Sequence, residues 1–214
     1  MHIPEGFISP HLSIPAYAAS LPLWLFSLKR YRRYVNNDVV RALPVIGSLT
    51  AFAFVIQSIM IPIPGGTSAH IVGSALIGIA YNPFVAFVSE TLVLLIQGMV
   101  MGMGGITVLP VNAIAVGFVG PLVGHLVFRL LGRFNEKAAL FIAGYTGIVV
   151  SALLVSVVLG IQHEISEKYF PLPFFVVFPA IMLPHLIFVG PLEGMYTLFT
   201  HSMLKRTKVL EAKY

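Results

Sequence analysis

The sequence predicts an all-α polytopic membrane protein, a bundle of about seven transmembrane helices, on three observations. Apolar residues make up 57% of the 214 residues and charged residues only 10%, where a soluble domain carries about 25% charged. Most of the few charges fall between long apolar stretches, not within them. Most of those stretches approach the ~20 residues that a helix needs to cross the hydrocarbon core of a bilayer.

The apolar segments run at about 10–28, 42–61, 68–80, 83–101, 106–128, 138–160 and 174–203. The first ends at the basic cluster Lys29-Arg30-Tyr31-Arg32-Arg33, and the second at Pro62-Ile63-Pro64-Gly65-Gly66. Tyr81-Asn82-Pro83 separates the third from the fourth, and the Gly-rich run from Gly102 to Gly105 separates the fourth from the fifth. Polar connections at 129–137 and 162–173 bound the sixth. Gly and Pro in these connections are ordinary turn signals. The third segment has only 13 residues, a helix of ~20 Å at 1.5 Å per residue. It is expected to start below the outer surface, with the loop before it dipping inward.

Basic residues orient the bundle, because cytoplasmic loops collect Lys and Arg. Seven crossings with the N-terminus outside and the C-terminus cytoplasmic put 12 of the 13 basic residues inside, leaving only Lys168 outside. Without the third crossing, Arg129, Arg133 and Lys137 would move outside and the bias would collapse. Small residues four apart (Ala69 and Gly73, Ser74 and Gly78, Ala113 and Gly117, Gly120 and Gly124) let helix backbones approach closely in lipid. Internal packing is the ordinary use of such pairs, and docking of a partner subunit is the other. No repeat or low-complexity tract breaks the chain, which reads as a single transmembrane domain over 1–214.

The excess of Lys and Arg, 13 against 8 acidic residues, does not point to nucleic acid, since no basic helix with interleaved aromatics is present. The absence of Cys excludes thiolate metal sites and disulfides. At Met1-His2-Ile3-Pro4-Glu5-Gly6 no positive region precedes an apolar stretch, so the first residues are expected to belong to the working protein. Signatures of zinc proteases, serine hydrolases and nucleotide-binding loops are all missing.

Two histidines stand in unusual surroundings. The imidazole of His2 can chelate a divalent ion together with the α-amine of Met1 and the deprotonated amide nitrogen of His2. Those three nitrogens fill three corners of a square plane, the geometry that suits Ni(II) or Cu(II). Pro4 and Gly6 keep this arm from being an ordinary helix and let it fold back into the bundle. His70 ends the Pro/Gly-rich loop that feeds the third segment. Irregular backbone at membrane depth survives only where it lines a cavity or is buried in protein, and an ionisable residue there is a candidate ligand by default. A His at that place can equally hydrogen-bond a neighbouring loop.

The Gly-rich outer segment from Gly102 to Asn112 supplies Thr107 and Asn112, which with Thr67 are candidates to hold a ligand imidazole in place. Met99, Met101 and Met103 offer thioethers, which prefer softer ions and more often fill apolar gaps. Glu90, Gln97, His125, His185 and Glu193 lie inside apolar segments, where a polar group needs a partner. They are expected to make hydrogen bonds between helices, with a proton relay as the alternative. His163, Glu164, Glu167 and Lys168 read as a solvated outer loop.

Met1-His2-Ile3-Pro4-Glu5-Gly6, the stretch from Pro64 to His70, Gly104-Gly105 with Asn112, Pro184-His185-Leu186 and Pro191-Leu192-Glu193-Gly194 together resemble the CbiM/NikM family. Its members are the substrate-capture (S) components of energy-coupling factor nickel and cobalt transporters in prokaryotic cell membranes. The resemblance spans the chain. It implies a metal site formed by the amine of Met1, the amide nitrogen and imidazole of His2, and the imidazole of His70, with a nickel or cobalt ion as the substrate. It also implies a transmembrane coupling subunit, two cytoplasmic ATPase subunits and, often, a small accessory membrane protein as partners. Pro-Gly-Gly-Thr before the loop histidine is the nickel-type pattern within the family.

One position departs from it. Met103 stands where many relatives carry Asp, which removes a negative charge from the outer segment. Two readings of other classes remain alongside: a proton-coupled secondary transporter of small solutes that uses Glu90 and Glu193, and a membrane scaffold or receptor in which His2 is incidental.

Overall fold

The computed structural model describes residues 2–37, 39–63 and 67–210. Among them the chain forms seven helices: α1 (Pro10–Asn37), α2 (Val39–Gln57), α3 (Ser74–Ala80), α4 (Pro83–Met101), α5 (Leu109–Leu131), α6 (Glu136–Ile165) and α7 (Phe174–Arg206). A small antiparallel hairpin, β1 (Ile61–Ile63) and β2 (Thr67–Ala69), connects α2 to the loop before α3 and pairs Ile61 with Ala69. Five helices, α2 and α4 to α7, are long and apolar enough to cross a bilayer.

Helix starts follow local chemistry. The Asn82 side chain accepts from the amides of Phe84 (2.9 Å) and Val85 (3.0 Å), and Pro83 occupies the first helical position, where its missing N–H costs nothing. Asn135 caps α6 in the same way through the Ala138 amide. Along α1, Ser13, Ser20 and Ser27 turn inward while Ile14, Leu21, Leu25 and Phe26 are exposed. This is the reverse of a soluble helix and suits a lipid surround. Glycine permits the α5–α6 crossing, since a Cβ on Gly147 would lie 2.9 Å from the Gly120 carbonyl oxygen and one on Gly120 would lie 3.0 Å from that of Gly147.

Three boundaries differ from the sequence expectation. The Lys29–Arg33 cluster is not a connection but the last turns of α1, because Lys, Arg and Tyr continue a helix readily and no Gly or Pro stops it. Gln162 to Ile165 likewise belong to α6, so His163 and Glu164 lie in its last turn. The third segment was expected as a crossing over 68–80, but its helix has seven residues, only ~10 Å of rise. Strand β2 and the left-handed Gly73 (φ +79°) take up the preceding residues. Residues Ser74 to Ile79 of this short helix are buried on every side.

Three stretches widen from α-helical to π-helical hydrogen bonding, Gln97–Met101 in α4, Ala113–Val119 in α5 and His185–Val189 in α7. Each begins at or just after a buried polar residue, Gln97, Asn112 or His185. Such widenings are common near functional sites.

Candidate metal centre

The N-terminal arm folds back into the bundle and is held mainly through its backbone. Ile3 is fully buried in a cluster with Val72, Val108, Val111 and Phe170. The Ile3 amide donates to Asn112 Oδ1 (3.0 Å), and Asn112 Nδ2 donates to the Ile3 carbonyl (3.1 Å), so one side chain grips both faces of that residue. The Glu5 amide donates to the Gly104 carbonyl (3.0 Å), and the Ser9 amide to Gln162 Oε1 (2.8 Å). The Glu5 carboxylate accepts from the Thr107 amide (3.2 Å) and hydroxyl (2.5 Å). A Cβ on Gly105 would fall 1.6 Å from Glu5 Oε2, so the carboxylate can lie there only across a glycine.

This arm brings His2 against His70, 68 positions away. Both are buried, with ring centroids 4.6 Å apart and planes tilted by 42°. His70 Nδ1 lies 3.1 Å from the Ile71 carbonyl oxygen. A carbonyl only accepts, so Nδ1 carries the proton and Nε2 keeps its lone pair. His70 Nε2 is buried without a hydrogen-bond partner among the described residues, an uncommon state for such an atom. Burial pushes the His2 imidazole from its ordinary 6.5 down to about 3, with a Gln57 hydrogen bond opposing the shift. The ring is therefore neutral at ordinary pH, the form that can donate to a metal.

A polar network lies behind the His70 loop. Glu193 of α7 accepts from the amides of Val72 (2.7 Å) and Gly73 (2.8 Å). Gln57, the last residue of α2, donates to the Val72 carbonyl (2.9 Å) and to Glu90 Oε2 of α4 (3.1 Å). Gln57, Glu90 and Glu193 are all buried. His185 Nδ1 bonds the Ile181 carbonyl (2.7 Å), His125 Nδ1 the Gly78 carbonyl (2.9 Å), and Gln97 Nε2 the Phe54 carbonyl (3.3 Å). Glu90, Gln97, His125 and Glu193 thus join different helices and loops, as their sequence context predicts, whereas the His185 bond to Ile181 stays within α7.

Of the sequence candidates, His2 and His70 come together. Asn112 lies beside them but holds the Ile3 backbone, and Thr107 holds Glu5; in neither case is an imidazole the bonded group. Met1 lies outside the described residues, as do the Thr67 side chain and Pro64-Gly65-Gly66. Met99 and Met101 are exposed, away from the buried rings. His163 is half-buried rather than part of a solvated loop: its Nδ1 faces the Phe170 carbonyl at 3.1 Å. Sequence reasoning passed over Gln57, whose only signal is an amide within an apolar run, and gave no role to Glu5, which it named only within the N-terminal motif.

The same architecture occurs in the crystal structures of a transition metal transporter (33% identity, TM-score 0.90, covering 97% of this chain and 93% of that one) and of a truncated transition metal transporter (34%, 0.90, 97% and 99%). The chain is thus of the class of multi-pass membrane transport proteins, not an enzyme. Residues 2–210 match the CbiM family, the cobalt uptake substrate-specific transmembrane region, and the chain belongs to that family. The protein MJ1569 of Methanocaldococcus jannaschii is 37% identical over 210 residues, covering 97% of this chain and 93% of its own length. The fused nickel transport protein NikMN of Rhodobacter capsulatus is 33% identical over 219 residues, 97% of this chain and 62% of the fused protein. The cobalt transport protein CbiM of Clostridium tetani is 31% identical over 196 residues, 89% of this chain and 80% of its own. Family membership makes the chain a transmembrane component of cobalt or nickel uptake by an energy-coupling factor transporter of prokaryotes.

Proposed function

We propose that residues 1–214 act as one substrate-binding domain that captures a divalent ion, Ni(II) in preference to Co(II), at the outer face for import. The ligands are the α-amine of Met1, the amide nitrogen and imidazole of His2, and Nε2 of His70, four nitrogens in a plane. The observation that carries this reading is the apposition of His2 and His70 at 4.6 Å, with His70 Nε2 buried, unprotonated and without a hydrogen-bond partner among the described residues. Nickel is favoured because the amine–amide–imidazole chelate suits a square plane, and because Pro64-Gly65-Gly66-Thr67 precedes the loop histidine. The N-terminus faces outside and the C-terminus the cytoplasm on this reading, which gathers Lys and Arg on the cytoplasmic side. It requires that strand β2, the His70 loop and the short α3 together carry the chain across in place of a full third helix. The partners are a transmembrane coupling subunit, two cytoplasmic ATPase subunits that supply the energy, and a small accessory membrane protein. The last of these is supported by the fused NikMN relative, of which this chain spans 62%.

The test is metal analysis of protein purified with its native N-terminus. One nickel or cobalt ion per chain is expected in the wild type and little in a folded His70→Ala variant. Equal occupancy in both would overturn the ligand assignment.

A further inference from the structure

The loop that carries His70 has no regular structure between β2 and α3, and α3 begins without a side-chain cap of its own. A ligand on such a loop would wander unless something outside the loop fixed it. Glu193 is placed to do so. Its two carboxylate oxygens take the amides of Val72 (2.7 Å) and Gly73 (2.8 Å), two and three positions after His70. Gln57 Nε2 holds the carbonyl of the same Val72 at 2.9 Å. The residue two beyond His70 is thereby gripped at its N–H from α7 and at its C=O from α2. Gly73 allows this geometry with its left-handed φ of +79°, and a Cβ there would press on the Tyr196 ring at 3.1 Å. That ring sits on α7 three residues after Glu193.

We propose that Glu193 is the positioning residue of the metal centre: it fixes the His70 loop so that Nε2 meets the plane defined by the N-terminal arm. The inference rests on the reading of His70 as a ligand. The carboxylate is required for a chemical reason, because two adjacent N–H donors need two acceptors. A glutamine offers one acceptor and turns its NH2 against the second amide. Proton coupling by Glu193 is not needed on this view, since both its oxygens are already committed to backbone donors.

A double-mutant cycle on nickel affinity, with the native N-terminus kept, tests the role. Glu193→Gln should raise Kd by about 10- to 100-fold, the usual loss when a group supporting a ligand is removed. In a His70→Ala background the same change should alter Kd by no more than about twofold, as expected of a residue with nothing left to position. The absorption spectrum of bound nickel should shift in Glu193→Gln toward that of His70→Ala. Equal effects of Glu193→Gln in both backgrounds would overturn the proposal and leave Glu193 a purely structural residue. If His70→Ala itself leaves Kd unchanged, the ligand assignment fails instead, so the two failures are distinct. Should Glu193→Gln not fold, Glu193→Asp serves in its place, keeping the charge but retracting it by one methylene.

Discussion

Replacing Asn112 by alanine tests whether the arm must be docked for the chain to hold its metal. Asn112 contributes both a donor and an acceptor to Ile3, at 3.1 and 3.0 Å, and Ile3 is fully buried. Without the amide, one N–H and one C=O are left with neither protein nor water. Each such group costs about 1–3 kcal/mol, so the docked arm loses about 2–6 kcal/mol. Lifting the arm restores water to both groups but exposes Ile3, which costs about 1.5–3 kcal/mol of lost apolar burial. Ordering each backbone residue also costs about 1–2 kcal/mol, so a short arm on a handful of bonds docks with little in reserve. Apparent affinity falls with the docked fraction, and a loss of about 2 kcal/mol corresponds to roughly 30-fold at 1.4 kcal/mol per tenfold. Competition against a chromophoric chelator in detergent measures it, with thermal melting of the metal-free protein as the folding control. Gln162→Ala removes the acceptor for the Ser9 amide, further from the rings, and should cost less. If Asn112→Ala binds nickel within about threefold of the wild type and melts normally, the arm is not held in the way described, and the reasoning is wrong.

A Gly-Ser extension ahead of Met1 should abolish high-affinity binding while every side chain remains, because it turns the α-amine into a peptide nitrogen without a basic lone pair; full occupancy with an unchanged nickel spectrum would count against the chelate. Acidification should destabilise the metal-free protein through His2. Its folded pKa of about 3 lies below the ordinary 6.5, so the stability of the docked arm is fully present above 6.5 and is lost as pH falls toward 3, where the undocked ring takes up a proton and the docked one does not. Melting temperatures between pH 7 and 4 should therefore fall less in His2→Gln than in the wild type.

Much of the fold was legible because hydropathy in a membrane protein is close to a direct record of what crosses. Two kinds of feature escaped it. Hydropathy locates where a helix leaves lipid, not where it stops, so α1 continued through Lys29–Arg33 and α6 through Gln162–Ile165. The third segment is apolar because it is buried among the other helices, and burial in protein and burial in lipid look alike in sequence. At the site, His2 and His70 announced themselves through an imidazole at position two and an ionisable residue in a Pro/Gly loop. Glu193 was visible as a buried carboxylate, but its partners were not, since backbone amides 120 positions away leave no mark in the sequence. The sequence suggested that Asn112 and Thr107 hold an imidazole; their bonded groups are instead the Ile3 backbone and the Glu5 carboxylate, on the arm that carries His2, and such partners leave no mark in the sequence either.

The two halves of the site are secured by different means, and the difference bears on transport. The His70 loop is braced by side chains from α2 and α7, all of them buried, and the helix that follows is enclosed by the bundle. The arm carrying His2 lies at the start of the chain and is held by a small number of bonds to its backbone, from Asn112, Gly104 and Gln162. Binding to a rigid pair of halves would be tight but slow to reverse, whereas an uptake component has to let its ion go. On the proposed ligand set, with one half fixed and the other tied by a few separable bonds, lifting the arm would remove up to three of the four nitrogens together, because amine, amide and imidazole are joined through consecutive residues.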